Sequence, residues 1–182
     1  MLFIRYKWAA LEAALLTPAL LFAASTQNKK NKRIKMYSQN LKAFLLMIQF
    51  SEGTYGPNAY RTLYGGGLFD DLTKHPDKPI TKWGITSTAA GAYGFLYRIW
   101  MELQTAMQLP DFSPASQDKA AIELIRRKGA LAYVLEGNIE QAIYKCRKIW
   151  ASFPGAGYGQ HENSFEKLAK FYEKAGGKQL TA

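Results

Sequence analysis

The feature that most limits the fold of this 182-residue chain is a single interruption of its helical patterning. Between Gly53 and Thr88 the sequence turns to Gly, Pro, Thr and aromatic residues. Gly56-Pro57, Gly65-Gly66-Gly67 and His75-Pro76 are turn signals there, and short β-prone stretches lie near 61–64 and 79–86. On either side, apolar residues recur at helical spacing. Leu41, Phe44, Leu45 and Ile48 predict a first helix over 38–52, stopped by Gly53. Further helices are predicted over 90–108, over 114–128 behind a Ser113 N-cap, over 130–135, over 138–150, and finally up to Gly176-Gly177. The expected fold class is α+β, mostly helical, in one domain with one small β region. A non-helical insertion of this length in a compact domain commonly binds or covers a ligand.

With 48% apolar residues the chain has ample material for one core. Its single cysteine, Cys146, cannot close an internal disulfide, and with His75 and His161 as the only histidines the Cys/His zinc classes are excluded. No cofactor and no metal are expected. The net charge of +10 is unevenly spread: Arg5, Lys7, Lys29, Lys30, Lys32, Arg33 and Lys35 stand against Glu12 in the first 35 residues, which leaves +4 for the rest. A mildly basic body suits an anionic polymer such as a cell wall, with salt-sensitive binding. It carries no specific nucleic-acid signature.

Residues 1–35 form a basic and apolar N-terminal segment. The stretch from Trp8 to Ala24 has the layout of a secretory signal, with Arg5 and Lys7 before it and small residues after it. Glu12 within that stretch is costly in a bilayer, and the cluster from Lys29 to Lys35 opposes export of the body of the chain. Three readings stay open: a signal or releasable membrane anchor, a start assigned too early with Met36 as initiator, or a basic tail.

Glu52 is the residue whose placement points to chemistry. Ile48, Leu45 and Phe44 precede it by four, seven and eight positions, so its carboxyl leaves the helix on the apolar face. Desolvation there raises a carboxyl pKa and keeps a proton available for donation to a leaving group. The competing reading is a helix-end glutamate turned to solvent across Gly53. Asp70 and Asp71, after a glycine turn, are the candidate second acid of a two-carboxylate hydrolase. Asp111 and Asp118 read as structural residues around a helix start. Tyr158, in the glycine-rich loop Gly155–Gly159, could stack on a bulky ligand. Cys146, Trp100, Trp150, Phe171 and Tyr172 read as core or half-buried residues.

Several blocks occur in one order: Ser51-Glu52-Gly53-Thr54, Gly66-Gly67-Leu68-Phe69-Asp70-Asp71, Ser87 to Tyr93, Asp111-Phe112-Ser113-Pro114 with Ser116-Gln117-Asp118, and Ile149 through Gln160. Together they resemble the lambda-type phage endolysins, over about Gln39 to Gly177. The resemblance implies a lysozyme-like fold, with a helical lobe and a small β-containing lobe around a glycan cleft. It makes 36–182 the catalytic domain. It also implies lytic transglycosylation of peptidoglycan between N-acetylmuramic acid and N-acetylglucosamine, with a 1,6-anhydromuramic product and host cell lysis as the role.

By the same resemblance Glu52 would be the lone catalytic acid/base, with Ser51, Thr54, Tyr93 and Tyr158 as substrate-binding residues. One departure is Gly94, where the family carries glutamine. Expected partners are peptidoglycan glycan strands, with membrane contact through residues 1–35 left open, no nucleic acid, and a monomeric state. The enzyme would wait in the host cytoplasm until the membrane is permeabilised, or be exported or tethered if the N-terminal segment is a signal or anchor. A hydrolytic lysozyme, or a wall-binding or membrane-active lysis protein with a weakened cleft, are the alternatives.

Overall fold

A computed structural model describes residues 18–180, with side chains described from Ser25 onward. The apolar stretch on which the signal and anchor readings rest lies outside those residues or has no described side chains. Among the described residues no helix is long and apolar enough to cross a membrane. Two compact units, Met1–Met36 and Tyr37–Ala182, are distinguished. In the first, the side chains of residues 25–35 are exposed.

The helices are α1 (Pro18–Ser51), α2 (Tyr97–Met107), α3 (Pro114–Arg127), α4 (Leu131–Glu136), α5 (Ile139–Cys146) and α6 (Phe165–Lys174). Strands β1 (Ile80–Lys82) and β2 (Ile85–Ser87) pair antiparallel, with Thr81 opposite Thr86. The fold is α+β and mostly helical, as the patterning predicts. Trp83 and Gly84 join the strands, both at positive φ (50° and 76°), which is the turn geometry that matches strand twist in a two-residue hairpin.

Three boundaries differ from expectation. First, α1 begins at Pro18 rather than near residue 38. The intervening Gln, Asn, Lys and Arg residues include no Gly or Pro and are compatible with helix even without an apolar stripe. Second, 90–96 is not helical. Gly91 and Gly94 sit at φ 79° and 61°, and Ala90 bridges Phe95 in a tight turn. Third, α5 stops at Cys146, because the Ile149 N–H bonds the Cys146 carbonyl at 2.8 Å and draws the chain into a turn that buries Trp150. The Ser113 cap is as expected, its hydroxyl accepting from the Ser116 N–H, and Asn138 caps α5 in the same way.

In the body, the second half of α1 buries Ala43, Phe44, Met47 and Ile48 completely. Around it pack Trp100 and Leu103 of α2, Ala120, Ala121 and Ile125 of α3, the inner face of α5, and Leu168 and Tyr172 of α6. Truncating one such aromatic costs about 3–5 kcal/mol. Cys146, Trp100, Trp150 and Tyr172 are core residues and Phe171 is partly buried, as read from their spacing. Buried Asn40 ties α1 to the far end of the chain: its amide donates to the Leu135 carbonyl and its oxygen accepts from the Lys178 N–H, each at 2.9 Å.

A buried histidine anchors the non-helical insertion. His75 packs on Phe112 and Tyr97, with Nε2 2.8 Å from the Phe95 carbonyl and Nδ1 accepting from the Asp77 N–H at 3.1 Å. A neutral ring protonated on Nε2 satisfies both partners. Burial lowers its pKa below 6.5. The stabilisation from neutral His75 is therefore present above the ordinary histidine value and is lost as pH falls through the folded-state value. The difference in thermal midpoint between the parent and His75→Asn should shrink from about pH 7 to about pH 5. A pH-independent difference would contradict this.

Candidate active site

Helix α1 delivers Glu52 to a cavity of about 420 Å³. The helix closes with Gly53 at φ 71°, the Gly53 N–H on the Phe50 carbonyl at 3.2 Å and the Thr54 N–H on the Gln49 carbonyl at 2.9 Å. This is the Schellman arrangement that a glycine after the cap permits. The cavity is lined by Glu52, Gly53 and Thr54, by residues 62–66, by Trp83, and by Ala89, Ala90, Gly91 and Gly94. Glu52 is the one carboxylate in that lining.

Its carboxyl is half-buried and held on one side. Ser152 Oγ donates to Oε1 at 2.5 Å. Burial raises the Glu52 pKa above 4.5, and this outweighs the lowering by the Ser152 hydroxyl and backbone. The position also places the carboxyl at the negative end of the α1 dipole, which further disfavours a carboxylate. The other oxygen, Oε2, lies beside Gly94, where a Cβ would stand 3.0 Å from it. A side chain at 94 would therefore crowd the carboxyl.

A polar clamp sets the turn that carries Gly94. Buried Gln117 accepts from the Ala92 N–H at 2.9 Å and donates to the carbonyls of Phe112 and Tyr60 at 2.8 and 3.0 Å. Gly91 is required there, since a Cβ would come within 2.2 Å of the Gln117 oxygen. Trp150 Nε1 holds the Tyr93 carbonyl at 3.2 Å, and the Thr54 hydroxyl donates to the Ala92 carbonyl at 2.6 Å.

The predicted site residues are not all brought together. Thr54 lines the cavity. Tyr93 does not reach it: the residue is 2% exposed and its hydroxyl donates to Asp118 at 2.5 Å, because the 91–94 turn points the ring into the core. Ser51 is likewise buried, 8% exposed, with its hydroxyl 2.7 Å from that of Ser152. Tyr158 is exposed outside the cavity lining. Its hydroxyl donates to the Lys148 carbonyl at 3.0 Å and the Lys148 ammonium lies over its ring. The glycine loop around it is stapled by Glu162, which accepts from the Gly155 and Gly157 N–H groups at 2.7 and 2.6 Å.

Asp70 and Asp71 line a different, smaller hollow with Lys74 and Lys78. Asp70 pairs with Arg61, and Asp71 accepts from the hydroxyl and N–H of Thr73. Neither joins Glu52 in its cavity. Asp111 does cap, accepting from the Ser113 N–H and the Ser116 hydroxyl, whereas Asp118 receives the hydroxyls of Tyr60 and Tyr93. Among the described residues no group of three or more His, Cys, Asp or Glu could hold a metal ion.

Ser152 and Trp83 are among the residues of the site that escaped sequence reasoning. Ser152 lies 100 positions from Glu52, and only its place in the Ile149–Gln160 block marks it. Trp83, 79% exposed, falls inside the β-prone stretch at 79–86, where nothing in the spacing singles it out.

Because burial holds the Glu52 pKa above its unfolded value, the stability it contributes is complete below about pH 4.5 and is lost as pH rises through the folded value. Glu52→Gln should therefore melt higher than the parent at neutral pH, with the gap closing as pH is lowered toward 4.5. A variant less stable than the parent at every pH would contradict the assigned burial.

Comparison with known proteins agrees with this architecture. A family model described as Endolysin matches residues 42–179. The endolysin of Escherichia phage P2 is 44% identical over 155 residues, covering 76% of this chain and 94% of the relative. That of Escherichia phage lambda is 43% identical over 143 residues, covering 75% and 90%. The structure of bacteriophage lambda lysozyme complexed with a chitohexasaccharide superposes with a TM-score of 0.75 at 42% identity, covering 78% of this chain and 97% of that one. A second structure of lysozyme from bacteriophage lambda gives 0.71 at 41% identity, with the same coverage. The fold is therefore lysozyme-like, and the chain belongs to the phage endolysin family.

Proposed function

We propose that this endolysin cleaves the β-1,4 bond between N-acetylmuramic acid and N-acetylglucosamine in peptidoglycan by lytic transglycosylation, with Glu52 as its single acid/base. The observation that carries the reading is a lone, desolvated carboxyl in the cavity, with Asp70 and Asp71 in a separate hollow. The chitohexasaccharide bound by the lambda relative supports a glycan as occupant of this cleft. The unit after Met36 is the catalytic domain in this reading.

Protonated Glu52 donates to the glycosidic oxygen as positive charge develops at the muramic anomeric carbon. The sugar's own acetamido oxygen supports that charge, as in substrate-assisted glycoside cleavage. Glu52, now a carboxylate, takes the proton of the muramic C6 hydroxyl, whose oxygen closes onto the anomeric carbon. The proton count balances: Glu52 ends protonated as it began, and no water is consumed. Because the developing charge is met by substrate, a second carboxylate is not needed. Exposed Trp83 at the hairpin tip offers an aromatic face to a sugar ring, the kind of contact that binds without entering the chemistry.

Mass spectrometry of muropeptides released from purified peptidoglycan tests this. The parent should give anhydro-ended fragments, lighter by one water than hydrolysed ones, and Glu52→Gln should give none. Reducing-ended fragments from the parent would overturn the transglycosylase assignment in favour of hydrolysis. No fragments from the parent would overturn the enzymatic reading in favour of wall binding.

A further inference from the structure

A line of polar side chains runs behind Glu52, away from the cavity. The Lys167 ammonium on α6 donates to Asn163 Oδ1 at 2.8 Å. Asn163 Nδ2 donates to Ser51 Oγ at 3.2 Å and to the Ser51 carbonyl at 3.3 Å. Ser51 Oγ lies 2.7 Å from Ser152 Oγ, which donates to Glu52 Oε1 at 2.5 Å. Asn163 is 5% exposed and its own N–H is fixed to the Ser152 carbonyl at 2.8 Å, so the two middle members sit in a rigid frame.

The chemistry of the first member sets the direction of the whole line. An ammonium only donates, so Asn163 must turn its carbonyl oxygen to Lys167 and its NH₂ to Ser51. Ser51, having accepted there, has two acceptors for its hydroxyl hydrogen, Ser152 Oγ at 2.7 Å and the Ser152 carbonyl at 3.3 Å; it donates to the nearer, because Ser152 gives its own hydrogen to Glu52. Every donor then points toward the carboxyl, and each bond polarises the next. Oε1 ends the line as an acceptor. We propose that Lys167, Asn163, Ser51 and Ser152 are positioning residues whose one-way relay occupies Oε1 and so keeps the transferable proton of Glu52 on Oε2, beside cavity-lining Gly94. This rests on the reading of Glu52 as the acid.

The relay also accounts for a buried serine, a half-buried serine and a buried asparagine gathered at the end of α1. Other charged or titratable groups near the site are Tyr64 and Lys82 beside the cavity and Tyr60, Tyr93 and Asp118 behind the 91–94 turn. Glu162 is engaged in the loop after Ser152. The relay is the path by which a cation reaches the carboxyl through hydrogen bonds. Lys167 is itself exposed, with its ammonium 5.3 Å from the Phe50 ring centroid, so Lys167→Met removes the charge while keeping an apolar stem on that ring.

The test is the pH profile of kcat and KM on purified peptidoglycan for the full chain, its Ser152→Ala, Ser152→Thr and Lys167→Met variants, and Glu52→Gln as control. Ser152→Ala should lower kcat about tenfold with KM changed less than about twofold, since a misplaced proton donor slows the chemistry without weakening binding. Its alkaline limb should move up, because the charged form of Glu52 loses a donor. Ser152→Thr should restore both, and Lys167→Met should move the limb in the same direction by less. Losses of kcat with an unmoved limb in both Ser152→Ala and Lys167→Met would reduce the line to scaffolding and overturn the relay alone. An inactive parent, or an active Glu52→Gln, would instead overturn the reading of Glu52 as the acid and the relay with it.

Discussion

Much of this structure is arranged around a carboxyl that water reaches poorly, at the end of a helix whose dipole opposes its ionisation. Burying such a group is unfavourable for the fold unless it stays neutral or finds donors. Glu52 does both in part: burial pushes its pKa up, and Ser152 supplies one hydrogen bond to one oxygen. In the proposed reading these two features let the residue give its proton and then exist briefly as a carboxylate.

Keeping that arrangement requires the surrounding chain to be fixed at several points. The Schellman end at Gly53 aims the carboxyl, Gln117 clamps the 91–94 turn so that Gly94 leaves room at Oε2, and Trp150 locks the same turn through the Tyr93 carbonyl. Buried Tyr93 belongs to this scaffold. Its hydroxyl and that of Tyr60 converge on Asp118 of α3, so the aromatic residue of the Ala92-Tyr93 segment supports the cavity from behind.

Glu52 was legible in the sequence because its signal is local: four, seven and eight residues back along one helix the neighbours are apolar, and Gly53 ends the run. The Ser113 cap, the break between the helices over 114–128 and 130–135, and the β-prone stretch near 79–86 were legible for the same reason. Features that depended on tertiary contacts were not. Residues 90–96 carry helix-compatible patterning, but Gly91 must pass against Gln117 and takes a positive φ instead. The inward turn of Tyr93, the partnership of Ser152 with Glu52 and the separation of Asp70 and Asp71 from the cavity arise between segments far apart in the chain. Spacing along one element carries no record of them.

The central physical claim is that the Glu52 carboxyl is desolvated in the folded protein, and NMR titration of ¹³C-labelled glutamate carboxyls, with Glu52 assigned by its loss in Glu52→Gln, reads this directly. A midpoint for Glu52 above the ordinary 4.5 is the expected result. A midpoint at or below that value would mean an exposed or fully paired carboxylate, and would contradict the account of how this site holds its proton.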